Sequence, residues 1–237
     1  MGQLALLSAE VIGVFFLIAQ PSLRPTNLQV TGLQHVSLAQ VRSALRLPDG
    51  SIFFVNSSDL AQKMKSLVWV QSAEVTLGLP NRVAVRVHEW SPAGVLQVGE
   101  RSYYLNSRGT ILAEAAEPAG LTVVSRPGIA DPRQGEAALD PQLLSLLDTL
   151  RQNFPSVFHL QALVFTIDTR QALTLHTDRG YPIMFGEVAT PDERAQLEPK
   201  LAALRAISQR VDLVRAPILY INLMNPRVPA VQIRTVH

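Results

Sequence analysis

Beyond an apolar N-terminal stretch, the hydrophobic positions first predict a strand followed by a helix. A short apolar run over residues 28–31 ends at a glycine, which is typical of a strand that closes in a turn. Ser37 and Gln40 have the spacing of a capping box, and apolar residues follow them at helical intervals. A Pro-Asp-Gly sequence over residues 48–50 ends this predicted helix.

A second helix and two strands follow in the same pattern of apolar and polar positions. Asp59 and Gln62 open the helix, whose apolar residues again recur every three or four positions. Residues 73–77 and 83–87 alternate between apolar and polar on either side of a Pro-Asn turn, which is typical of half-buried strands. The predicted order over residues 28–90 is therefore β-α-α-β-β.

The second part of the chain, residues 91–237, is richer in strand patterns. Short apolar or alternating segments bounded by turn residues predict strands there. These segments are residues 95–98, 103–105, 163–167, 173–177, 181–185, 218–223 and 230–234.

Two helices are predicted between these strands. Asp140 caps the first helix and is followed by a proline at the first helical position. Thr190 opens the second helix in the same way, with Glu193 completing a capping box. Residues 114–142, which are rich in Pro, Gly and Ala, are predicted to be mainly a connection.

An apolar stretch over residues 4–19 precedes the first domain. As a helix it would span roughly 24 Å, somewhat less than the roughly 30 Å of a hydrocarbon core. Glu10 disfavours insertion, and the absence of Lys and Arg before Arg24 leaves its orientation unspecified. We favour a single-pass anchor over residues 1–23; a cleaved signal peptide and a buried helix are the alternatives. The residues assigned to the anchor are Leu4, Leu7, Val11, Val14, Phe15, Phe16, Leu17 and Ile18.

Composition and charge exclude several classes of protein. The hydrophobic fraction of 47% is sufficient for packed cores and argues against a disordered chain. The 21 basic and 19 acidic residues are spread along the sequence, so no basic block favours nucleic-acid binding. The lack of cysteine excludes disulfides, zinc thiolate sites, iron–sulfur clusters and thiol nucleophiles.

Sequence patterns typical of catalysis are also missing. None of the 5 histidines has the spacing of a known metal motif, and no nucleophile elbow or glycine-rich phosphate loop occurs. Glu89 and Asp168 are conceivable as a carboxylate pair, but nothing in the sequence brings them together. We therefore predict a binding protein without enzymatic activity, cofactor, metal ion or small-molecule substrate.

The order of several short motifs resembles the FtsQ/DivIB family of bacterial cell division proteins. The motifs of the first domain, which resemble the POTRA domain of that family, are Val30-Thr31-Gly32, Ser37-Leu38, Gly50-Ser51-Ile52-Phe53, Trp69-Val70-x-x-Ala73-x-Val75, Pro80 and Val85-x-Val87-x-Glu89-x-x-Pro92. Those of the second domain are Tyr104-Leu105-Asn106-x-x-Gly109-x-Ile111, Phe185-Gly186 and Tyr220-Ile221-Asn222-Leu223.

This resemblance implies an α+β fold with three parts. They are an N-terminal transmembrane helix, a POTRA domain over residues 28–90, and a mostly antiparallel β-domain over residues 91–237 with a long helix in its C-terminal half. It further implies a single-pass protein of the cell (inner) membrane, located at the division septum, with most of the chain outside the cytoplasm.

The last predicted strand is the candidate binding site. A C-terminal strand is often a sheet edge, whose unpaired N–H and C=O groups can accept a strand of a partner. In the FtsQ family the corresponding strands dock FtsB, which pairs with FtsL; the resemblance thus implies FtsB- and FtsL-like partners, other divisome components, and a role in recruiting and regulating septal peptidoglycan synthesis. A purely structural strand is the alternative. The candidate partner-binding residues are Tyr220, Leu223, Met224, Ala230, Val231, Gln232, Ile233 and Arg234.

The chain departs from the family pattern at several positions. Val68 replaces a frequent proline, Asn106 and Asn222 replace aspartates, and Met224 replaces a frequent arginine. Two other functions remain as alternatives: a POTRA-containing component of an export or outer-membrane assembly machine, and an extracytoplasmic hydrolase with a non-local site.

Overall fold

The computed structural model describes residues 20–116 and 120–234. They belong to two compact units, with the boundary between Trp90 and Ser91. The residues assigned to the membrane anchor lie outside the described ranges, and of the segment 1–23 only the end is described, with a 3-10 turn at Pro21–Leu23. Within the described ranges, every helix is too short or too polar to cross a bilayer.

The first unit has the predicted β-α-α-β-β order, which confirms that part of the expected fold. A 3-10 turn separates its two helices. The elements are β1 (Asn27–Thr31), α1 (Leu38–Leu45), the turn Ile52–Phe54, α2 (Ser57–Met64), β2 (Val70–Gly78) and β3 (Arg82–Glu89).

The three strands form one sheet in the order β1-β3-β2. β1 runs parallel to β3, and β2 runs antiparallel to it. Alternate residues of β3 are buried, as the polar–apolar alternation predicts. Both helices carry buried residues, and α2 lies against β2. The core of the unit therefore lies between the sheet and the two helices.

Of the two helix N-termini in this unit, that of α1 agrees with the prediction and that of α2 does not. α1 has the predicted capping box, in which the Ser37 hydroxyl accepts the Gln40 N–H at 3.2 Å. The prediction that Asp59 opens α2 is wrong, because the Asn56 side chain caps this helix by accepting the Ser58 N–H at 2.9 Å.

The second unit contains one large sheet and three helices among its described residues. The strands are β4 (Gly94–Val98), β5 (Arg101–Leu105), β6 (Ile111–Glu114), β7 (Thr122–Ser125), β8 (Ala162–Ile167), β9 (Ala172–Thr177), β10 (Pro182–Glu187), β11 (Ile218–Asn222) and β12 (Ala230–Ile233). The helices are α3 (Pro141–Phe158), α4 (Pro191–Ala195) and α5 (Leu197–Ser208).

The sheet of the second unit is mixed. Its order is β12-β11-β10-β9-β8-β7-β4-β5-β6, and the neighbouring pairs β4–β7, β7–β8 and β10–β11 are parallel while the other pairs are antiparallel. The expectation of a mostly antiparallel domain is therefore confirmed in part: five of the eight neighbouring pairs are antiparallel, and the sheet as a whole is mixed. Strand β7 lies within residues 114–142, which the sequence predicted to be mainly a connection.

The helices bury one face of this sheet. α3 contributes an apolar stripe to the core and lies against β7 and β8. The helix predicted from Thr190 consists of the two helices α4 and α5, separated at Gln196. An ion pair of 2.6 Å between Arg194 in α4 and Asp140, the N-cap of α3, joins the two helical segments.

A buried turn between β5 and β6 explains one departure from the family pattern. The Asn106 side-chain oxygen accepts the N–H groups of Arg108 and Thr110 at 2.9 and 3.0 Å. An aspartate carboxylate would accept the same two bonds, so the amide preserves this turn. Gly109 has φ +70°, and a Cβ there would overlap the carbonyl oxygen of Leu139, so the turn also requires glycine.

Candidate partner-binding edge

Strand β12 is an edge of the large sheet. Among the described residues it pairs only with β11, antiparallel, with Tyr220 opposite Gln232 and Asn222 opposite Ala230. Just beyond the strand, the Arg234 N–H donates to the Pro217 carbonyl at 2.9 Å. One side of β12 is therefore hydrogen-bonded within the sheet.

The backbone groups on the other side of β12 face the open edge. Along a strand, successive residues direct their N–H and C=O groups to opposite sides. Because the Arg234 N–H points towards β11, those of Gln232 and Ala230 point the same way. Val231 and Ile233 therefore present their N–H and C=O groups outwards, where an added strand can pair with them.

Apolar side chains accompany this edge. Val231 packs against the core of the unit, whereas Ile233 on the same face of the strand is 42% exposed. Met224 and Val228, between β11 and β12, are 52% and 74% exposed. The edge thus combines unpaired backbone groups with apolar surface, the combination that strand addition uses for affinity and specificity.

The connection between β11 and β12 is ordered by asparagine side chains. The Asn222 oxygen accepts the Met224 N–H at 3.0 Å, and the Asn225 oxygen accepts the Arg227 N–H at 3.1 Å. The Val228 N–H donates to the Asn225 carbonyl and closes a turn. Asn222 thus supplies the oxygen that an aspartate would supply. The asparagine found here in place of the family's aspartate therefore preserves the local turn.

Met224 lies against Gly186 on the neighbouring strand. Gly186 has φ +84° and belongs to a bulge of β10, and a Cβ there would approach the Met224 Cγ to 3.3 Å. Leu223, the preceding residue, is fully buried, and its N–H donates to the Met184 carbonyl at 2.8 Å. Of the candidate contact residues, Leu223 therefore holds the strand in place instead of offering a surface side chain.

A charged cleft of about 450 Å³ adjoins Met224. It is lined by both acidic and basic side chains, among them Asp168, Arg170, Glu187 and Lys200. Burial lowers the pKa of the Lys200 ammonium group, and the nearby carboxylates of Glu193 and Glu187 oppose this shift. None of the described residues that line the cleft is a Ser, Thr or His.

The other residues considered for chemistry are engaged locally. Glu89 accepts the backbone N–H groups of Gln34, His35 and Val36, and Asp168 accepts those of Arg170 and Ala172. Each carboxylate therefore holds a local turn of its own unit. Across residues 20–116 and 120–234, no group of three or more His, Asp or Glu side chains could hold a metal ion.

Two features of this edge were missed by sequence reasoning. Val228, the most exposed of the apolar residues beside β12, was not among the candidates, and neither was Gly186. The sequence did offer a signal for Val228. It lies between Pro226 and Pro229 in a predicted turn, and turn residues are usually exposed. The contact of Gly186 with Met224 arises from a parallel strand pair that no local pattern indicates.

Comparisons with known proteins agree in both units. Residues 23–90 match the model of the POTRA domain, FtsQ-type, and residues 94–224 match that of Cell division protein FtsQ/DivIB, C-terminal. Similar curated proteins include Cell division protein FtsQ of Chloroflexus aggregans, 21% identical over 77% of this chain and 67% of that protein. The FtsQ of Chloroflexus aurantiacus is 24% identical over 81% and 68%, and that of Anaeromyxobacter sp. strain K is 24% identical over 70% and 58%.

The fold and these matches define a POTRA protein with a mixed-sheet second domain and a non-enzymatic role. More specifically, the chain belongs to the FtsQ/DivIB family of cell division proteins. The family resemblance of the sequence motifs is thereby confirmed, including the expectation that the protein is not an enzyme.

Proposed function

We propose that this chain is a membrane-anchored scaffold of the division machinery that docks an FtsB-like protein, together with its FtsL-like partner, on β12. Docking occurs by strand addition, and the scaffold then recruits and regulates septal peptidoglycan synthesis. The observation that carries the proposal is the open edge of β12, where Val231 and Ile233 direct their backbone groups outwards.

The surroundings of the edge support a partner with apolar and acidic residues. Met224, Val228 and Ile233 supply apolar contacts. Arg227 and Arg234 flank β12, whereas Arg215, before β11, pairs with Asp212 at 4.0 Å. A segment of the same positive charge is therefore disfavoured, which adds selectivity to the backbone pairing.

Anchoring makes a modest affinity sufficient. Partners confined to the same membrane have a high effective concentration, so weak strand addition can still hold the assembly together. The apolar sequence over residues 4–19 is the proposed anchor, and the location of the bulk of the chain outside the cytoplasm is proposed from the family resemblance. The alternative of an export component has less support, because the second domain also matches the division family.

Conditional depletion in the bacterium that produces this chain tests the proposed role. We expect filamentous cells, because septal wall synthesis would no longer be recruited, and a fluorescent fusion of the chain at mid-cell. Cell length and fusion position are measured by microscopy, with an unrelated POTRA protein depleted as the control. Normal cell length together with an evenly distributed fusion contradicts the role in division.

A further inference from the structure

The strand directions identify the end of the first domain at which the chain enters. β1 begins at Asn27, opposite Arg82 at the start of β3. The Asn27 N–H donates to the Asn81 carbonyl at 3.2 Å, and the Asn81 amide donates to the Thr26 hydroxyl at 3.3 Å. The turn between β2 and β3, residues 79–81, therefore lies beside the incoming chain. We term this end of the domain the N-terminal end.

The connection between α1 and α2 lies towards the same end. Glu89, at the far end of β3, binds the loop that leads into α1, so α1 begins at the far end. α2 also ends at the far end. β2 begins at Val70, six residues after the end of α2, and Val70 pairs with Glu89. Each helix has 8 residues and extends about 12 Å from that point. Residues 46–56, which join the other ends of the two helices, therefore lie towards the N-terminal end.

Exposed apolar side chains concentrate at this end. Phe53 and Phe54, in the 3-10 turn of the helix connection, are 57% and 76% exposed, and Leu79 in the strand turn is 67% exposed. Ile52 is buried and fixes the turn from which both phenylalanines project. By contrast, Leu38, which begins α1 at the far end, is 42% exposed. We term Phe53, Phe54 and Leu79 the apolar end patch.

Three arginines are located at the same end, together with the carboxylates Asp49 and Asp59. Arg24 lies in the incoming segment, Arg46 follows the end of α1, and Arg82 begins β3. None of the three forms an ion pair with another described residue, so their charges are available to an external anion. Aromatic and aliphatic side chains flanked by cations are typical of surfaces that lie in the interface of a bilayer with anionic lipids.

The length of chain before β1 keeps this end close to the proposed anchor. Residues 20–26 separate the apolar stretch from Asn27, and at about 3.5 Å per residue they extend at most about 25 Å. The 3-10 turn at Pro21–Leu23 shortens this reach further. The N-terminal end therefore remains within a short distance of the point at which the anchor would leave the membrane.

We propose that the apolar end patch inserts into the lipid headgroup interface, with Arg24, Arg46 and Arg82 facing anionic headgroups. The first domain then stands in a defined orientation on the membrane instead of rotating freely on its linker. This inference rests on the proposed membrane anchor, since an unanchored chain would have no short tether to bring the patch to the bilayer.

Site-specific labelling of the full chain tests this contact directly. The native sequence has no cysteine, so Phe54→Cys, Leu79→Cys and the control Leu38→Cys each give one attachment point for an environment-sensitive fluorophore. The labelled chains are reconstituted in phosphatidylethanolamine vesicles with about one quarter phosphatidylglycerol, with or without nitroxide-labelled lipid. We expect at least about threefold stronger quenching for the two patch labels than for the control label.

The outcomes separate this proposal from the proposed anchor. Vesicle binding is measured first, by flotation of the vesicles in a density gradient. If the chain does not float with the vesicles, the proposed anchor is wrong and the patch contact fails with it. If it floats but the patch labels are quenched no more than the Leu38→Cys label, only the patch contact is overturned. Labels that become shielded only after an FtsB-like protein is added also overturn it, because they indicate a protein partner. Adding Phe53→Ser to the Leu79→Cys chain is expected to halve the quenching at least, since the patch acts as a unit.

Discussion

Replacing Val231 with proline is expected to weaken binding of the FtsB-like partner at least about tenfold, because the residue loses its outward N–H and gains a ring at the docking edge. Proline is tolerated on an edge strand when its nitrogen faces away from the ladder. Val231 meets this condition, since the Arg234 N–H, three residues on, points towards β11. The free energy of unfolding of the second domain should therefore change little, and titration calorimetry measures the change in affinity.

Two matched variants make this experiment specific. Val231→Thr keeps both the N–H and the β-branched shape, so it should retain binding. Gln232→Pro places the ring on the side that pairs with Tyr220, so it should disturb β12 itself and lower stability as well as binding. If Val231→Pro binds the partner as tightly as the native chain does, the docking edge is wrong.

Replacing Glu89 with glutamine is expected to lower the free energy of unfolding of the first domain by about 2–3 kcal/mol at neutral pH. The Glu89 side chain is only 4% exposed, and its two oxygens accept three backbone N–H groups and contact the His35 ring nitrogen at 3.0 Å. That ring in turn stacks on Trp69 with centroids 3.9 Å apart. A neutral amide has one accepting oxygen and presents its NH₂ group to some of these donors.

The pH dependence of this effect follows from the pKa of Glu89. Burial alone would raise it, but the three backbone N–H groups and His35 outweigh burial and hold the pKa below its ordinary value of 4.5. A carboxylate whose pKa is lowered by folding stabilises the fold above its unfolded pKa and loses that contribution as the pH falls through the folded value. The difference between native chain and variant should therefore be full at neutral pH and shrink in acid.

Urea unfolding followed by tryptophan fluorescence measures this difference. Both tryptophans of the chain, Trp69 and Trp90, belong to the first unit, so the signal reports on that unit. Glu74→Gln is the control, because Glu74 forms only an exposed pair with Arg86 and should contribute less than about 1 kcal/mol. A Glu89→Gln effect of equal size at pH 7 and at about pH 3 contradicts a role for the ionised carboxylate.

The first domain was predictable because its signals are local. Capping residues and the change between helical and alternating spacing determine its elements, so only the start of α2 was misplaced. Asp59 and Gln62 have the spacing of a capping box, but Asn56 is the N-cap of this helix. The exposure of Phe53 and Phe54 was not predicted, because both lie in a 3-10 turn, which gives no periodic signal.

The second domain was less predictable because its pairings are non-local. β7 has 4 residues inside a Pro- and Gly-rich segment, and it becomes a strand by lying between β4 and β8, both parallel to it. No short-range pattern indicates such pairs. The edge position of β12 was expected from its place near the end of the chain, whereas the direction of its free N–H groups follows only from the observed pairing with β11.

Amide hydrogen exchange of the full chain, with and without its FtsB-like partner, tests the central proposal most directly. The Val231 and Ile233 amides face the open edge in the free chain, so partner binding should slow their exchange at least about tenfold as new backbone bonds form. The Gln232 amide, already directed to β11, should change less. A bound complex in which Val231 and Ile233 exchange as fast as before, with protection on other strands, would contradict docking by strand addition on β12.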